Sequence, residues 1–327
     1  MPSHHRDYLI FWLIPLIFFA IFYFRSFFLT LFFAFIIGLS IQSWALVIHH
    51  RLKVPFLVSV VLFYLIFAFI VMSFVYLGLP IIIHQIQNLT NKLPQIYLNL
   101  IQKTGDNLPD VISETLKQSP GLLIDFGPDL IFKIFGGFFS TLLITVLSFY
   151  IAVNQEFLPN LIKIFAKSNE AKLLELLDRV RKRFANWLGG EIFLMISVGL
   201  ATYIVVLIIG IPYPFLISFA AGLFEIIPII GPFISAVIAS LITLSFEPDK
   251  ILLVIASFIA IQQLENHFLV PLIMKKAISL PPLITLTGVV IGGKLGGVLG
   301  VLITVPALAF VLEIYRAFYP KKEIPQV

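Results

Sequence analysis

Long stretches without one charged side chain constrain this chain more than any other feature. Tyr8 to Phe24, Val54 to Asn91, Ile134 to Gln155, Ile192 to Phe224 and Leu295 to Leu312 contain no Asp, Glu, Lys or Arg. Most of them reach the roughly 18 to 20 residues needed to cross the hydrocarbon core of a bilayer. Lipid offers no partner to a backbone amide, so such segments must satisfy their own hydrogen bonds as helices. A spanning β-barrel would alternate apolar and polar positions in segments of about ten residues; Ile66-Phe67-Ala68-Phe69-Ile70-Val71-Met72-Ser73-Phe74 does not. The expected fold is an all-α polytopic integral membrane protein with about eight membrane-embedded segments.

Composition agrees where it bears on solvent. Hydrophobic residues make up 60% of the chain and charged ones 12%, against about 25% charged in soluble domains. The first apolar stretch has no small-residue cleavage site behind it, and Arg25-Ser26 runs straight into Phe27-Phe28-Leu29, so it reads as a first transmembrane helix, not a signal peptide. Cysteine is absent, which excludes disulfides, thiolate metal sites and cysteine nucleophiles. The net charge of +5 suits cytoplasmic membrane boundaries and shows no basic face interleaved with aromatics, so no nucleic-acid partner is expected.

Basic residues orient the segments. Arg51 and Lys53 place the loop after the second helix in the cytoplasm with the N-terminus, making residues 1–79 three transmembrane helices. Residues 80–130 break the apolar pattern with Pro94, Pro109, Pro120 and Pro128 and form an acidic, outward-facing insert. Its first part carries an amphipathic stripe of Ile82, Ile86, Leu89, Leu93, Ile96 and Leu100. A fourth helix over 131–153 returns inward to a basic arm, 154–190. There Leu173, Leu177, Val180, Phe184 and Trp187 form one stripe, and Glu175–Arg179 and Asp178–Lys182 pair at i,i+4. The arm is expected to lie on the membrane surface, the alternative being a contact with another subunit. Residues 318–327 form a cytoplasmic tail.

In the region 191–317 the apolar runs are interrupted, not separated. Leu216 to Leu244 is punctured by Pro228, Gly231 and Pro232, and Leu283 to Tyr315 by Gly292-Gly293-Lys294-Leu295-Gly296-Gly297 and later by Pro306. As plain crossings they would leave Lys275 and Lys276 outside; as re-entrant hairpins they keep those lysines and Lys321-Lys322 inside, as the charge rule prefers. Two helix-plus-hairpin units of inverted orientation resemble the design of secondary transporters, with irregular backbone lining a polar pathway. The glycines at 292, 296 and 300, and at 293 and 297, also permit close helix contact, which is packing alone.

Glu225 lies between Gly222-Leu223-Phe224 and Ile226-Ile227-Pro228. A carboxylate in hydrocarbon costs several kcal/mol, so it must be protonated, paired or hydrated, and such residues mark transport paths or structural pairs. Glu265, Asn266 and His267, preceded by Gln262 and Gln263, form a second polar group in which Glu265 and His267 are suited to proton relay. Lys294 is placed either to neutralise an acid or to snorkel to the interface. Glu191, after Gly189-Gly190, reads as an interfacial charge at the membrane entrance.

The stretch Gly222-Leu223-Phe224-Glu225-Ile226-Ile227-Pro228-Ile229-Ile230-Gly231-Pro232 resembles the hallmark of the AI-2E transporter family, the autoinducer-2 exporter-like permeases. Glu265-Asn266-His267-Phe268-Leu269-Val270-Pro271, Leu280-Pro281-Pro282, the glycine-rich block from Gly292 to Gly300 and Val305-Pro306 follow in the same order. The resemblance covers the whole chain in outline. It implies a homo-oligomeric permease of the bacterial cytoplasmic membrane, without cofactor or metal. Its members are linked to export of a signalling molecule or to sodium–proton exchange. Ile229 and the doubled Pro281-Pro282 depart from the family pattern and bear on substrate.

Three functions therefore compete: gradient-driven transport of a small polar solute, cation–proton antiport through Glu225 and Glu265, and a membrane scaffold without transport. No Walker A, G-x-S-x-G or H-E-x-x-H sequence is present, so neither ATP-driven pumping nor an enzyme is expected.

Overall fold

A computed structural model describes residues 23–88, 91, 137–166, 169–227, 230–274 and 281–319. Expectations about most of the first apolar stretch, nearly all of the insert beyond residue 88, Pro228, Lys275, Lys276 and the tail from residue 320 lie outside the described residues. Among those described, no residue is in a strand and every regular element is a helix. Five helices are long and apolar enough to cross a bilayer, six if one pair bent by 76° is counted as a span.

The helices are α1 (Arg25–Leu52), α2 (Phe56–Asn88), α3 (Gly137–Val153), α4 (Phe157–Phe165), α5 (Glu170–Ile209), α6 (Pro214–Phe224), α7 (Ile230–Phe246), α8 (Ile251–Leu264, continuing through Glu265–Leu269 into Val270–Met274) and α9 (Pro282–Phe318). They sort into two compact units. One holds residues 1–60, 136–185 and 280–327; the other holds 61–135 and 186–279. Helix α5 is continuous across the boundary, so Gly189-Gly190 does not end the arm as the sequence suggested.

Two helices pass a proline that follows a widened turn. The third helix was expected to end near Leu79, yet α2 continues past Pro80 to Asn88. The cause is a wide π-turn over Phe74–Gly78, closed by the Leu79 amide on the Phe74 carbonyl. Proline lacks an N–H and its ring clashes with the carbonyl four residues back; a turn that bonds five residues back moves that carbonyl aside. The same device recurs in α8, where the π-turn Glu265–Leu269 closes with the Val270 amide on the Glu265 carbonyl, immediately before Pro271.

In the first unit, α1 and α3 touch backbone to side chain at Gly38, where a Cβ would lie 2.8 Å from the Ser148 carbonyl. Buried Gln42 donates from Nε2 to the Ile151 and Ala152 carbonyls at 3.2 and 3.4 Å. Of the arm's apolar stripe, Val180, Phe184 and Trp187 are buried and Leu173 and Leu177 are half-buried. Phe184 meets Phe32 and Phe35 of α1 edge-on and lies 6.3 Å from the Phe310 ring of α9. The arm is therefore packed against its own chain and does not lie with its stripe in lipid. Arg179 and Arg183 reach the buried carboxylate of Glu313 on α9 at 3.3 and 2.6 Å, and Arg316 stands 3.4 Å from it. The expected arm pairs are also present, Arg179 with Glu175 at 2.5 Å and Lys182 with Asp178 at 2.7 Å.

In the second unit, Val206, Ile211, Ile217, Ala239, Ile242 and Val254 bring α5, α6, α7 and α8 onto one core. Helix α5 ends at Gly210, whose φ of 74° is open to glycine at no cost. Tyr213 turns the chain with a φ of 62°, and Pro214 opens α6.

Candidate functional site

Both punctured segments fold back on themselves. In the second unit α6 and α7 form a hairpin, because a Cβ on Gly231 would sit 1.8 Å from the Phe224 carbonyl oxygen. Ser235 Oγ lies 2.9 Å from the Gly231 carbonyl and 3.4 Å from that of Ala220 on the opposite limb. The turn is tied by the Ile227 amide on Phe224 and the Gly231 amide on Ile227. At 1.5 Å per residue α6 is about 16 Å long and α7 about 25 Å, both short of a hydrocarbon core of about 30 Å.

In the first unit α9 has the length of one span but is two limbs. A straight helix would hold Gly288 and Thr304 about 24 Å apart, whereas Thr304 Oγ1 is 3.3 Å from the Gly288 carbonyl. A Cβ on Gly300 would lie 1.9 Å from the Gly292 carbonyl oxygen. The reversal is at Gly297, with φ 58° and ψ −137°. Gly296 packs on Leu29 of α1 and Gly293 on Val301. Lys294 is exposed on the first limb near the tip, and Pro306 is buried in the second limb.

Two buried acids lie at the hairpin of the second unit. Glu225, the residue that caps α6 at the start of the turn, is 4% exposed; Glu265, first residue of the π-turn in α8, is 5% exposed. Their carboxyl groups are neighbours, close enough for a hydrogen bond between them. A carboxylate only accepts, so that bond exists when one of the two carries a proton. Gln262 Nε2 donates to Glu265 Oε2 at 3.0 Å. Glu225 Oε2 is enclosed and receives no N–H or hydroxyl donor. Among the described residues no Lys, Arg or His forms an ion pair with either acid.

The sequence missed a third member. The sequence places Glu191 at the membrane interface, but it is buried on the face of α5 that packs against α6, near Glu225 and Glu265. The signal was spacing. Glu191, Met195 and Gly199 lie on one face of α5, and Ser218, Gly222 and Glu225 on one face of α6. A Cβ on Gly222 would be 2.7 Å from the Met195 carbonyl, and one on Gly199 would be 3.3 Å from that of Ser218. Two glycines thus bring the antiparallel backbones into contact one turn from the two acids.

Asn266 and His267 are not turned toward this group. Both are exposed, and His267 Nδ1 lies 3.0 Å from the Gln263 carbonyl of its own helix. Positions two apart on a helix do not share a face, which separates His267 from Glu265. Pro271 is exposed in α8, while Pro232 is half-buried at the start of α7. Lys294, Gly292, Gly293, Gly296, Gly297 and Pro306 belong to the other compact unit. Among the described residues no group of three or more His, Cys, Asp or Glu is arranged to hold a metal ion.

Comparison with known proteins completes the description. A family profile described as "AI-2E family transporter" matches residues 9–319. The chain is similar to "Putative transport protein YueF" of Bacillus subtilis, with 29% identity over 82% of this chain and 77% of that protein. It is similar to "Putative transport protein YrrI" of the same organism at 24% identity, covering 83% and 80%. Similarity to "Putative permease PerM" of Escherichia coli, at 24% identity, covers 56% of this chain and 52% of that protein.

Proposed function

The chain belongs to the AI-2E family of membrane transporters, and from that premise we propose that it is a gradient-driven permease exporting a small polar solute, with Glu225 and Glu265 at the transport site. The observation that carries the reading is the enclosed carboxyl pair beside a hairpin turn in a chain whose outer surface is apolar. Membrane-buried acids without a cationic partner are expensive and are retained where a solute or proton is handled. The open oxygen of Glu225 suits a group that donates hydrogen bonds or carries positive charge. The backbone from Glu225 to Ile227, with Gly231 and Pro232 at the start of α7, would supply further polar contacts.

The second reading is cation–proton antiport, favoured by two neighbouring buried carboxyls that could share one proton for a cation to displace. We place the protein in the bacterial cytoplasmic membrane with both termini inside, as a homo-oligomer. Asn266 and His267, exposed on α8, would then act at the mouth of a path.

The test is flux in proteoliposomes carrying a luminal pH-sensitive dye, with candidate solutes and sodium offered against an imposed gradient. Transport that Glu225→Gln abolishes in a correctly assembled protein supports the site. Sodium-dependent proton movement selects antiport, and solute movement without it selects the permease. Undiminished flux in Glu225→Gln would remove the site from the mechanism.

A further inference from the structure

We propose that Glu191 is a charge-setting member of the same site: a third carboxyl that fixes how many protons the Glu225–Glu265 pair holds, and so when Glu225 offers an ionised oxygen to an incoming solute. The inference rests on the reading of that pair as the transport site.

Glu191 is held there by construction. Its helix passes α6 at backbone contact through Met195, Gly199 and Gly222, so the side chains one turn away cannot diverge. It is buried like the pair. The charged groups facing it are Glu225 from the end of α6 and Glu265 from α8, with neutral Gln262 beyond. Among the described residues no cation pairs with it, so every negative charge on Glu191 is felt by the pair at low dielectric.

Pairing for a fold would have left these acids opposite a lysine or arginine, as Glu313 is opposite Arg179 and Arg183. Here three buried acids lie near one another with no cation between them, and one oxygen of Glu225 has no donor. Three carboxylates cannot all be ionised in such a place. With Glu191 ionised the pair keeps its shared proton; when Glu191 takes a proton from the access path, the pair returns its own to that path. The O–H bond formed on Glu191 and the one broken in the pair leave the net charge of the cluster unchanged. Glu191 acts through the pair and is a positioning residue for charge.

The experiment uses the full chain reconstituted in liposomes, as wild type, Glu191→Gln and Glu191→Asp. Infrared titration reads the protonated-carboxyl band, and the dye assay reads proton movement against a sodium gradient. Glu191→Gln is expected to remove about a third of the titrating buried-carboxyl band. It should also move the pH midpoint of the rest to the acid side by about one unit, because one negative neighbour fewer eases proton loss. Glu191→Asp, which keeps the carboxyl, returns the wild-type band and most of the profile. An unchanged band and midpoint in Glu191→Gln overturns the proposal, as does a fall in assembled protein with the profile unmoved. If wild type moves no protons with sodium, the infrared arm alone decides. Loss of the transport reading shows separately, as wild-type flux in Glu225→Gln.

Discussion

The two hairpins are built alike and equipped differently. In each, a glycine at the start of the second limb rests on a carbonyl of the first, Gly231 on Phe224 and Gly300 on Gly292. In each, the hydroxyl four residues later reaches carbonyls of both limbs: Ser235 those of Gly231 and Ala220, Thr304 those of Gly300 and Gly288. The sequences around them share little else. Only the α6–α7 hairpin has a buried acid at its turn, whereas the α9 hairpin has an exposed lysine and a glycine with φ of 58°. Closing each helical hairpin is thus a matter of backbone contact and one hydroxyl, and can be repeated. The charge is local to one copy.

The largest effect that tests this likeness is steric. Gly231→Val and Gly300→Val each insert a Cβ within 2 Å of a carbonyl oxygen and should destabilise by about 3 kcal/mol or more, read as loss of monodisperse protein and of Tm in detergent. If one is tolerated, that hairpin is not closed as described. Next comes the functional contrast. Glu225→Gln should lower flux at least about a hundredfold, roughly 2.7 kcal/mol, while Lys294→Met, at the matching place in the other hairpin, should change it less than about threefold. Equal losses would mean that both tips carry chemistry.

A smaller effect separates the turns. At Gly297 a Cβ meets nothing within 4 Å, so Gly297→Ala should cost only the backbone strain of its φ and ψ, about 2 kcal/mol, seen as a lower Tm with normal assembly. Smallest is the clasp. Ser235→Ala and Thr304→Val should each lose about 0.6 kcal/mol, the usual worth of a side-chain hydrogen bond between helices in a membrane, and by similar amounts. Thermal melts of both variants side by side measure it.

Much of this was legible in the chain because it follows from local chemistry. Charge-free length gave helices in a membrane, and Pro228, Gly231, Pro232 and the glycines near 296 marked where they break. Glu225 and Glu265 were conspicuous because an acid among Ile, Leu and Phe has no other excuse. What escaped depends on contacts distant in sequence. Glu191 follows two glycines and looked like an edge, and only the backbone contact of Gly199 with Gly222 shows it to be interior. Glu313 gave no sign of the arginines that surround it, since Arg179 and Arg183 lie on α5. The arm's stripe was correctly periodic, but periodicity says that a face is covered and not by what. Pro80 misled because a proline ends a helix unless the turn before it is widened.

That widened turn has a bearing on how α8 tolerates change in length. A π-turn holds one residue more than an α-turn, so the helix faces before and after Glu265–Leu269 are out of step by about 100° from a continuous count. An insertion of one residue is already stored there, in register with its surroundings. Trimming a residue from this turn would return the helix to ordinary winding with its flanking faces kept in phase, whereas the same trim a turn earlier would rotate every side chain beyond it.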